Sequence, residues 1–158
     1  MDKDTQITAA QFQPLLDSNN RSLITSGLLG LILVYMLSNV IPASNIAIWL
    51  LLLFVSSIIR IVLAESYKKY PAFDEKALRK RFIAFRTGVV GSALVWGSSA
   101  FILHTEGNAQ YQLFLIFMLM GLSAGGTISY SVDLLSARIY TSLVVIPPLI
   151  ILFMQGDA

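Results

Sequence analysis

The chain has 158 residues, of which 56% are hydrophobic and 13% are charged, and its formal net charge is +2. A soluble domain carries about a quarter charged residues, so this composition, with a mean hydropathy of +0.72, excludes an ordinary soluble domain. One small core cannot hide so much apolar surface, and we therefore predict a polytopic membrane protein. The absence of cysteine excludes disulfides, thiolate metal sites and a cysteine nucleophile.

The N-terminal part of the chain predicts a helical hairpin that follows a polar segment. Residues 1–21 are polar and carry acidic side chains, unlike a signal peptide, so we expect a cytoplasmic N-terminal segment there. The first predicted span covers about 22–40 and the second about 46–64. The link between them is so short that the two spans must run antiparallel. Arg60 lies near the inner end of the second span, where we expect it to snorkel to the cytoplasmic headgroups.

A basic segment after the second span indicates the orientation of the chain. Seven of the eleven Lys and Arg residues lie between Glu65 and Arg86, which predicts a cytoplasmic basic loop over 65–81. The topology signals within this loop are Lys68, Lys69, Lys76, Arg79, Lys80 and Arg81. Because these cations flank apolar spans, we interpret the positive charge as a topology signal and not as a nucleic-acid surface.

Three further spans follow the basic segment. No residue from Glu75 to Leu103 breaks a helix, so we expect one long helix whose later part, about 82–103, is the third span. The fourth and fifth spans are expected at about 111–130 and 139–154. With a cytoplasmic N-terminus, all eleven cations fall on the inner side and the outer links carry none. This distribution is the one that the positive-inside rule requires.

The predicted fold is therefore an all-α polytopic transmembrane helical bundle of five spans. This arrangement places Ala158 on the outer side, after a few small polar residues that resemble the earlier outer links. We expect a sixth span directly after Ala158 in a longer parent protein, which would complete three hairpins.

Small residues form two rows in the later spans. Gly121 and Gly125 form a GxxxG pair in the fourth span, and Gly88 and Gly91 form a comparable row in the third, with Trp96 close by. Small residues let two helix backbones approach closely, so the simplest interpretation is that these rows pack against each other within the bundle. A dimer seam and a thin wall around a ligand cavity are the alternatives.

The remaining distinctive residues indicate structure more than catalysis. Pro147 and Pro148 are expected to kink the fifth helix and form a candidate hinge. Asp133 is expected to cap the start of that helix. His104 and Glu106 alone cannot form a metal site. We identify no ionisable residue deep within a span and no catalytic sequence motif, so the sequence argues against an enzyme and implies no cofactor.

Three stretches resemble a known class of membrane region. They are LRKRFIAFRTGVVGSALVWG in the third span, GLSAGGTISYS in the fourth and SARIYTSLVVIPPLIILFMQGD in the fifth. The chain resembles the N-terminal multi-span membrane regions of bacterial diguanylate cyclases and hybrid histidine kinases. The resemblance implies a sensory module in the bacterial inner membrane that couples a membrane or periplasmic cue to a cytoplasmic output domain. The chain contains no GGDEF motif and no phospho-accepting histidine, so that domain is expected in the longer parent protein.

Two other functions remain open from the residues alone. One is a small transporter or channel subunit, against which stands the lack of deep charge and of an inverted repeat. The other is a non-catalytic membrane partner protein. The expected partners are the lipid bilayer, a second copy in a homodimer, and a small apolar or periplasmic ligand, with no nucleic acid among them.

Overall fold

The computed structural model describes residues 3–69, 75–105 and 107–156, and this part of the chain is helical with short turns and contains no strand. Five helices follow one another: α1 (Lys3–Leu37), α2 (Ala43–Lys69), α3 (Glu75–Ile102), α4 (Ala109–Ser129) and α5 (Leu134–Gly156). The all-α class predicted from the sequence is confirmed. The long helix expected from Glu75 onward is also present as α3.

Four of the helices are long and apolar enough to cross a membrane, as expected of a membrane protein. The qualifying segments are Ser18–Leu37, Ala43–Tyr67, Ala109–Ser129 and Leu134–Met154. α3 is not among them, because its first turns are basic and its second half is rich in glycine, serine and alanine. The outer faces of the qualifying helices carry exposed large side chains such as Ile24, Phe54, Phe117 and Phe153. Apolar side chains on the outside are typical of a protein whose solvent is lipid.

Interhelical hydrogen bonds establish that α2 and α3 run antiparallel. The side-chain amide of Asn45 donates to the carbonyl oxygen of Ile102 at 3.2 Å, and Trp49 Nε1 donates to the carbonyl oxygen of Val95 at 3.0 Å. As the residue number rises along α2, the number of the contacting residue on α3 falls. α1 and α2 also run antiparallel, since a turn at residues 38–42 connects them directly.

α3 and α5 run parallel and pack closely. Arg86 contacts Asp133 just before α5, and further along both helices Gly97 lies against Leu143. A Cβ atom at Gly97 would overlap the carbonyl oxygen of Leu143 and lie 3.2 Å from Pro147 Cγ. Only glycine at position 97 therefore permits this approach of the two backbones.

α3 occupies the interior of the bundle. Its buried positions include Val89, Ala93, Trp96 and Ala100, which recur at the spacing of one helical face. The Trp96 ring packs edge-on against Trp49 of α2 with 5.1 Å between the ring centroids, and Trp96 Nε1 donates to Ser26 Oγ of α1 at 2.8 Å. Protein neighbours surround much of α3, which explains why it is less apolar than the helices that face lipid.

The structure differs from the sequence-based boundaries at both polar segments. α1 begins at Lys3 and continues through Pro14, so the N-terminal segment over 1–21 is largely part of the first helix. The basic loop predicted over 65–81 is mostly the end of α2 and the beginning of α3. Charged side chains do not stop a helix, so the two apolar helices extend beyond their apolar parts. Residues 70–74, between them, lie outside the described residues.

Candidate functional site

A buried arginine on α2 is the most unusual side chain in the described bundle. Arg60 lies within the apolar segment Ala43–Tyr67, and its residue is only 5% exposed. The expectation that it snorkels to the headgroups is wrong. Its side chain instead points into the bundle, where polar groups from other helices receive it, and Gly88 leaves room for its stem. A Cβ atom at Gly88 would lie 3.3 Å from Arg60 Cγ.

The guanidinium of Arg60 donates four hydrogen bonds. Nε and Nη2 both donate to Asn19 Oδ1, at 3.1 and 2.7 Å, and Nη2 also donates to the hydroxyl of Tyr130 at 2.7 Å. Nη1 donates to Ser92 Oγ at 3.3 Å. The guanidinium carbon also lies 5.8 Å from the centroid of the Tyr130 ring, within the range of a cation–π interaction. Hydrogen bonds from a charged donor are the stronger kind, so these contacts fix the position of the side chain.

These contacts bring the helices together at one end of the bundle. Asn19 belongs to α1, Arg60 to α2, Ser92 to α3, and Tyr130 directly follows α4. Ser22 of α1 is also within 3.2 Å of the Tyr130 hydroxyl. We call Asn19, Ser22, Arg60, Ser92 and Tyr130 the Arg60 cluster.

The fifth helix contacts the Arg60 cluster through Tyr140. The ring centroids of Tyr130 and Tyr140 are 5.3 Å apart. Tyr140 also packs onto Gly126 of α4 so closely that a Cβ atom at position 126 would overlap its ring. All five helices therefore contact the cluster or contribute to it.

The positive charge of Arg60 has no carboxylate partner among the described residues. Its acceptors are an amide, an aliphatic hydroxyl and a phenol, all of them neutral. A buried charge without a counter-ion is strongly unfavourable in a low-dielectric interior. The side-chain nitrogen of Asn19 is also buried and has no hydrogen-bond partner among the described residues. The cluster thus contains an excess of buried donors.

A second arginine, Arg86 of α3, has the carboxylate partner that Arg60 lacks among the described residues. Its Nε and Nη2 atoms donate to the two carboxylate oxygens of Asp133, each at 2.8 Å. Ser136 Oγ also donates to Asp133, and the Asp133 carbonyl oxygen accepts the backbone N–H of Ala137 at 3.0 Å. Burial raises the pKa of Asp133, but hydrogen bonds from Arg86 and Ser136, the charge of Arg86 and the N–H of Leu135 together lower it below its usual value.

The capping role predicted for Asp133 is confirmed by these contacts at the start of α5. Its ion pair with Arg86 was not predicted. The signal that could have revealed the pair is that Arg86 lies near the inner end of the predicted third span and Asp133 lies in the predicted inner turn before the fifth, so a bundle brings them to the same level.

The two rows of small residues do not meet. A Cβ atom at Gly91, Gly121 or Gly125 would have nothing within 4 Å. α4 packs mainly on α5 and α1 and contacts α3 only slightly. The expected contact between the small faces of the third and fourth spans is therefore wrong within the described chain, and the close approach of α4 to its neighbour occurs at Gly126.

Gly121 and Gly125 instead line a groove between α1 and α4. The groove encloses about 130 Å³, and Arg21, Ser22 and Tyr140 also line it. Because Ser22 and Tyr140 both contact Tyr130, the groove adjoins the Arg60 cluster.

The other sequence-predicted residues lie apart from the cluster. α5 continues as one helix through Pro147, which faces Gly97 of α3, and through the buried Pro148. Among the topology signals, Lys69, Lys76, Arg79 and Lys80 are exposed, and the Arg81 guanidinium lies 5.3 Å from the Tyr67 ring centroid. The side chain of Lys68 lies outside the described part of the structure.

Fold and site together define an all-helical membrane protein with a polar cluster around an arginine inside its bundle. Comparison with known proteins finds no matching family model, no matching curated protein and no matching solved structure. Any function assigned to the chain therefore rests on its own geometry.

Proposed function

We propose that this chain is the membrane-embedded input module of a bacterial signalling protein, which couples a membrane or periplasmic cue to a cytoplasmic output. The observation that supports this proposal is the Arg60 cluster. One guanidinium joins groups from α1, α2, α3 and the end of α4 at a single level. A shift of any of these helices would break hydrogen bonds of Arg60, so the cluster links the position of each helix to that of the others.

The proposal includes a topology with five spans and a cytoplasmic N-terminus in the inner membrane. α3 runs parallel to α1 and α5, contributes Ser92 to the Arg60 cluster, and reaches the opposite end of the bundle at Ile102. This extent supports α3 as a further span of the proposed topology. The exposed cations Lys69, Lys76, Arg79 and Lys80 all lie at the cluster end. Positive charge at one end favours a cytoplasmic location for that end.

A small transporter or channel subunit is the second candidate, and one specific observation favours it. Arg60 is an ionisable side chain buried within an apolar segment, and such residues often mark the path of a substrate or ion. The neutral surroundings of its charge suit the transient binding of an anion.

Substitution of Arg60 discriminates the two functions. In the source bacterium, chromosomal Arg60→Met is expected to change cellular cyclic di-GMP or histidine-kinase phosphorylation, because the helices lose their common link. If the chain is an input module, purified wild-type protein in liposomes should show no anion flux. Flux that Arg60→Met abolishes, with signalling unchanged, would establish the transporter and remove the input module. The matched control is Arg79→Met, which removes an exposed cation of α3 and should leave signalling as in wild type.

A further inference from the structure

The Arg60 cluster contains more buried hydrogen-bond donors than acceptors. A guanidinium has five N–H groups, and Arg60 uses four of them, on Asn19, Ser92 and Tyr130. One Nη1 hydrogen remains without an acceptor among the described residues. Asn19 adds the two hydrogens of its Nδ2 atom, which has no partner there although the residue is only 1% exposed.

Rotation of the Asn19 amide does not remove the excess. Its oxygen accepts two hydrogen bonds from Arg60, so exchange of oxygen and nitrogen would place donors against donors. The amide must therefore present its oxygen to the guanidinium, and its nitrogen remains unpaired. Buried polar groups in folded proteins are nearly always paired, so an orphan of this kind requires an explanation.

The Arg60 cluster has an excess of positive charge as well as an excess of hydrogen-bond donors. Of the two carboxylates whose side chains are described, Asp133 is held by Arg86 and Glu65 is exposed. Arg60 therefore adds one positive charge that its described neighbours do not neutralise. Only a group that accepts hydrogen bonds and carries negative charge satisfies both the orphan donors and the charge.

We propose that the Arg60 cluster binds a singly charged oxyanion, a phosphate or carboxylate group, with Arg60 and Asn19 Nδ2 as its donors. A planar guanidinium beside an amide N–H suits the paired oxygens of such a group. The groove between α1 and α4 adjoins the cluster on the side of Ser22, and Tyr140 and the exposed Arg21 also line it. The oxyanion is supplied either by a lipid headgroup or by a free anion from the cytoplasm.

Asn19→Asp provides an internal test, because it places a carboxylate on the atoms that already face Arg60. Thermal unfolding is measured in neutral detergent, with sodium phosphate titrated against sodium chloride at constant ionic strength. Phosphate is expected to raise the melting temperature of the wild type by about 5 °C near saturation, because a ligand stabilises the state that binds it. Asn19→Asp should be stabilised already without phosphate and gain less than about 1 °C from it. An equal response of both proteins, or no response of the wild type, overturns the proposal for a free anion.

A second arm replaces inorganic phosphate with mixed micelles of phosphatidylglycerol or phosphatidylcholine. A lipid headgroup is the source of the oxyanion if phosphatidylglycerol stabilises the protein while phosphate and phosphatidylcholine do not. This stabilisation should again occur only in proteins that retain Asn19. If neither phosphate nor phosphatidylglycerol distinguishes the wild type from Asn19→Asp, the site does not exist. The matched control is Asn45→Asp, which makes the same exchange at the opposite end of α2 and should retain the wild-type response.

Direct binding keeps the proposal testable even if Asn19→Asp fails to fold. Labelled phosphate, or phosphatidylglycerol retained after purification, should approach one molecule per chain in the wild type. Arg60→Gln should reduce this binding at least tenfold, while Arg79→Gln on the exposed face of α3 should not. Absence of binding to the wild type, or equal loss in both variants, overturns the proposal. Binding is read independently of any signalling output, so failure of the input-module assignment leaves this result intact.

Discussion

At the scale of single residues, Arg60 and Arg86 differ in whether a carboxylate neutralises their charge. Arg86 has the carboxylate of Asp133, which is itself held by Ser136. Arg60 has only neutral acceptors from three other elements among the described residues. Arg86 therefore belongs to the structural framework of the bundle, whereas Arg60 carries a charge that its described neighbours do not neutralise.

The Arg86–Asp133 pair gives the bundle a measurable dependence on pH. Asp133→Asn is expected to reduce the free energy of unfolding by about 2 kcal/mol at pH 7, because Arg86 loses its counter-charge while remaining partly exposed. The pKa of Asp133 is lower in the folded state than in the unfolded state. Its stabilisation is thus complete above the unfolded value of about 3.9 and is lost as the pH falls through the lower folded value.

Thermal unfolding between pH 3 and pH 7 checks this dependence. The wild type should lose its advantage over Asp133→Asn as the pH falls below about 4, and the two curves should converge. Equal melting temperatures of the two proteins at pH 7 would show that the ion pair contributes nothing.

Neighbouring glycines on α4 provide a second test at this scale. Gly126→Ala is expected to destabilise the protein by about 1–3 kcal/mol, because its Cβ atom would overlap the ring of Tyr140. Gly125→Ala is the matched control, since a Cβ atom there meets nothing, and it should change stability by less than about 1 kcal/mol. Denaturant or thermal unfolding in detergent measures both.

A larger loss for Gly125→Ala than for Gly126→Ala would contradict the packing of α4 described above. Gly125→Leu extends the test to the homodimer that is expected from the sequence. If the open row of Gly121 and Gly125 forms a seam between two copies, this variant should be monomeric in detergent while the wild type is dimeric. A dimer that survives the substitution removes the seam from this face.

At the scale of helices, the lengths of the apolar runs and the polar links between them were sufficient to predict the all-helical class and the order of the five helices. Each long apolar run forms a helix, and the short links at residues 38–42 and 103–108 force neighbouring helices to return antiparallel. A helix satisfies its backbone hydrogen bonds within its own segment. A local apolar run in the sequence is therefore sufficient to predict it. The interior position of α3 was harder to see, since its modest hydropathy reflects neighbours that only the assembled bundle provides.

The direction of individual side chains could not be predicted in the same way. Arg60 points inward because Asn19, Ser92 and Tyr130 meet it, and these residues are 41, 32 and 70 positions away in the sequence. The choice between Gly125 and Gly126 as the packing residue depends on a rotation of about 100° around the axis of α4. The GxxxG motif marks small residues but does not specify which face meets a neighbour.

The membrane position of α3 and its neighbours is tested by single-cysteine labelling. The chain has no native cysteine, so Ser44→Cys and Asn108→Cys each introduce one unique thiol at the end of the bundle opposite the Arg60 cluster. Both should react with an impermeant maleimide added outside intact spheroplasts, because the exposed cations favour a cytoplasmic cluster end. Lys76→Cys is the control and should react only after lysis. Labelling of Ser44→Cys or Asn108→Cys only from the cytoplasm would contradict the proposed orientation.

At the scale of the whole molecule, the protein combines an apolar exterior with polar links between its helices. The tryptophan pair Trp49 and Trp96 fills the middle of the bundle, and the Arg60 cluster and the Arg86–Asp133 pair lie at one end. In lipid, close packing of side chains holds the helices together. The polar contacts add a defined register, and a change in them requires a change in the arrangement of several helices.

Arg60 joins the helices through its contacts inside the bundle, and a double-mutant cycle with Tyr130 measures this link. Arg60→Met, Tyr130→Phe and the double variant are compared with the wild type by unfolding in detergent. We expect a coupling free energy of about 1–3 kcal/mol, because the two side chains share a charge-assisted hydrogen bond of 2.7 Å. Effects that add within about 0.5 kcal/mol would contradict it, since they would mean that Arg60 does not contact Tyr130 in the folded protein.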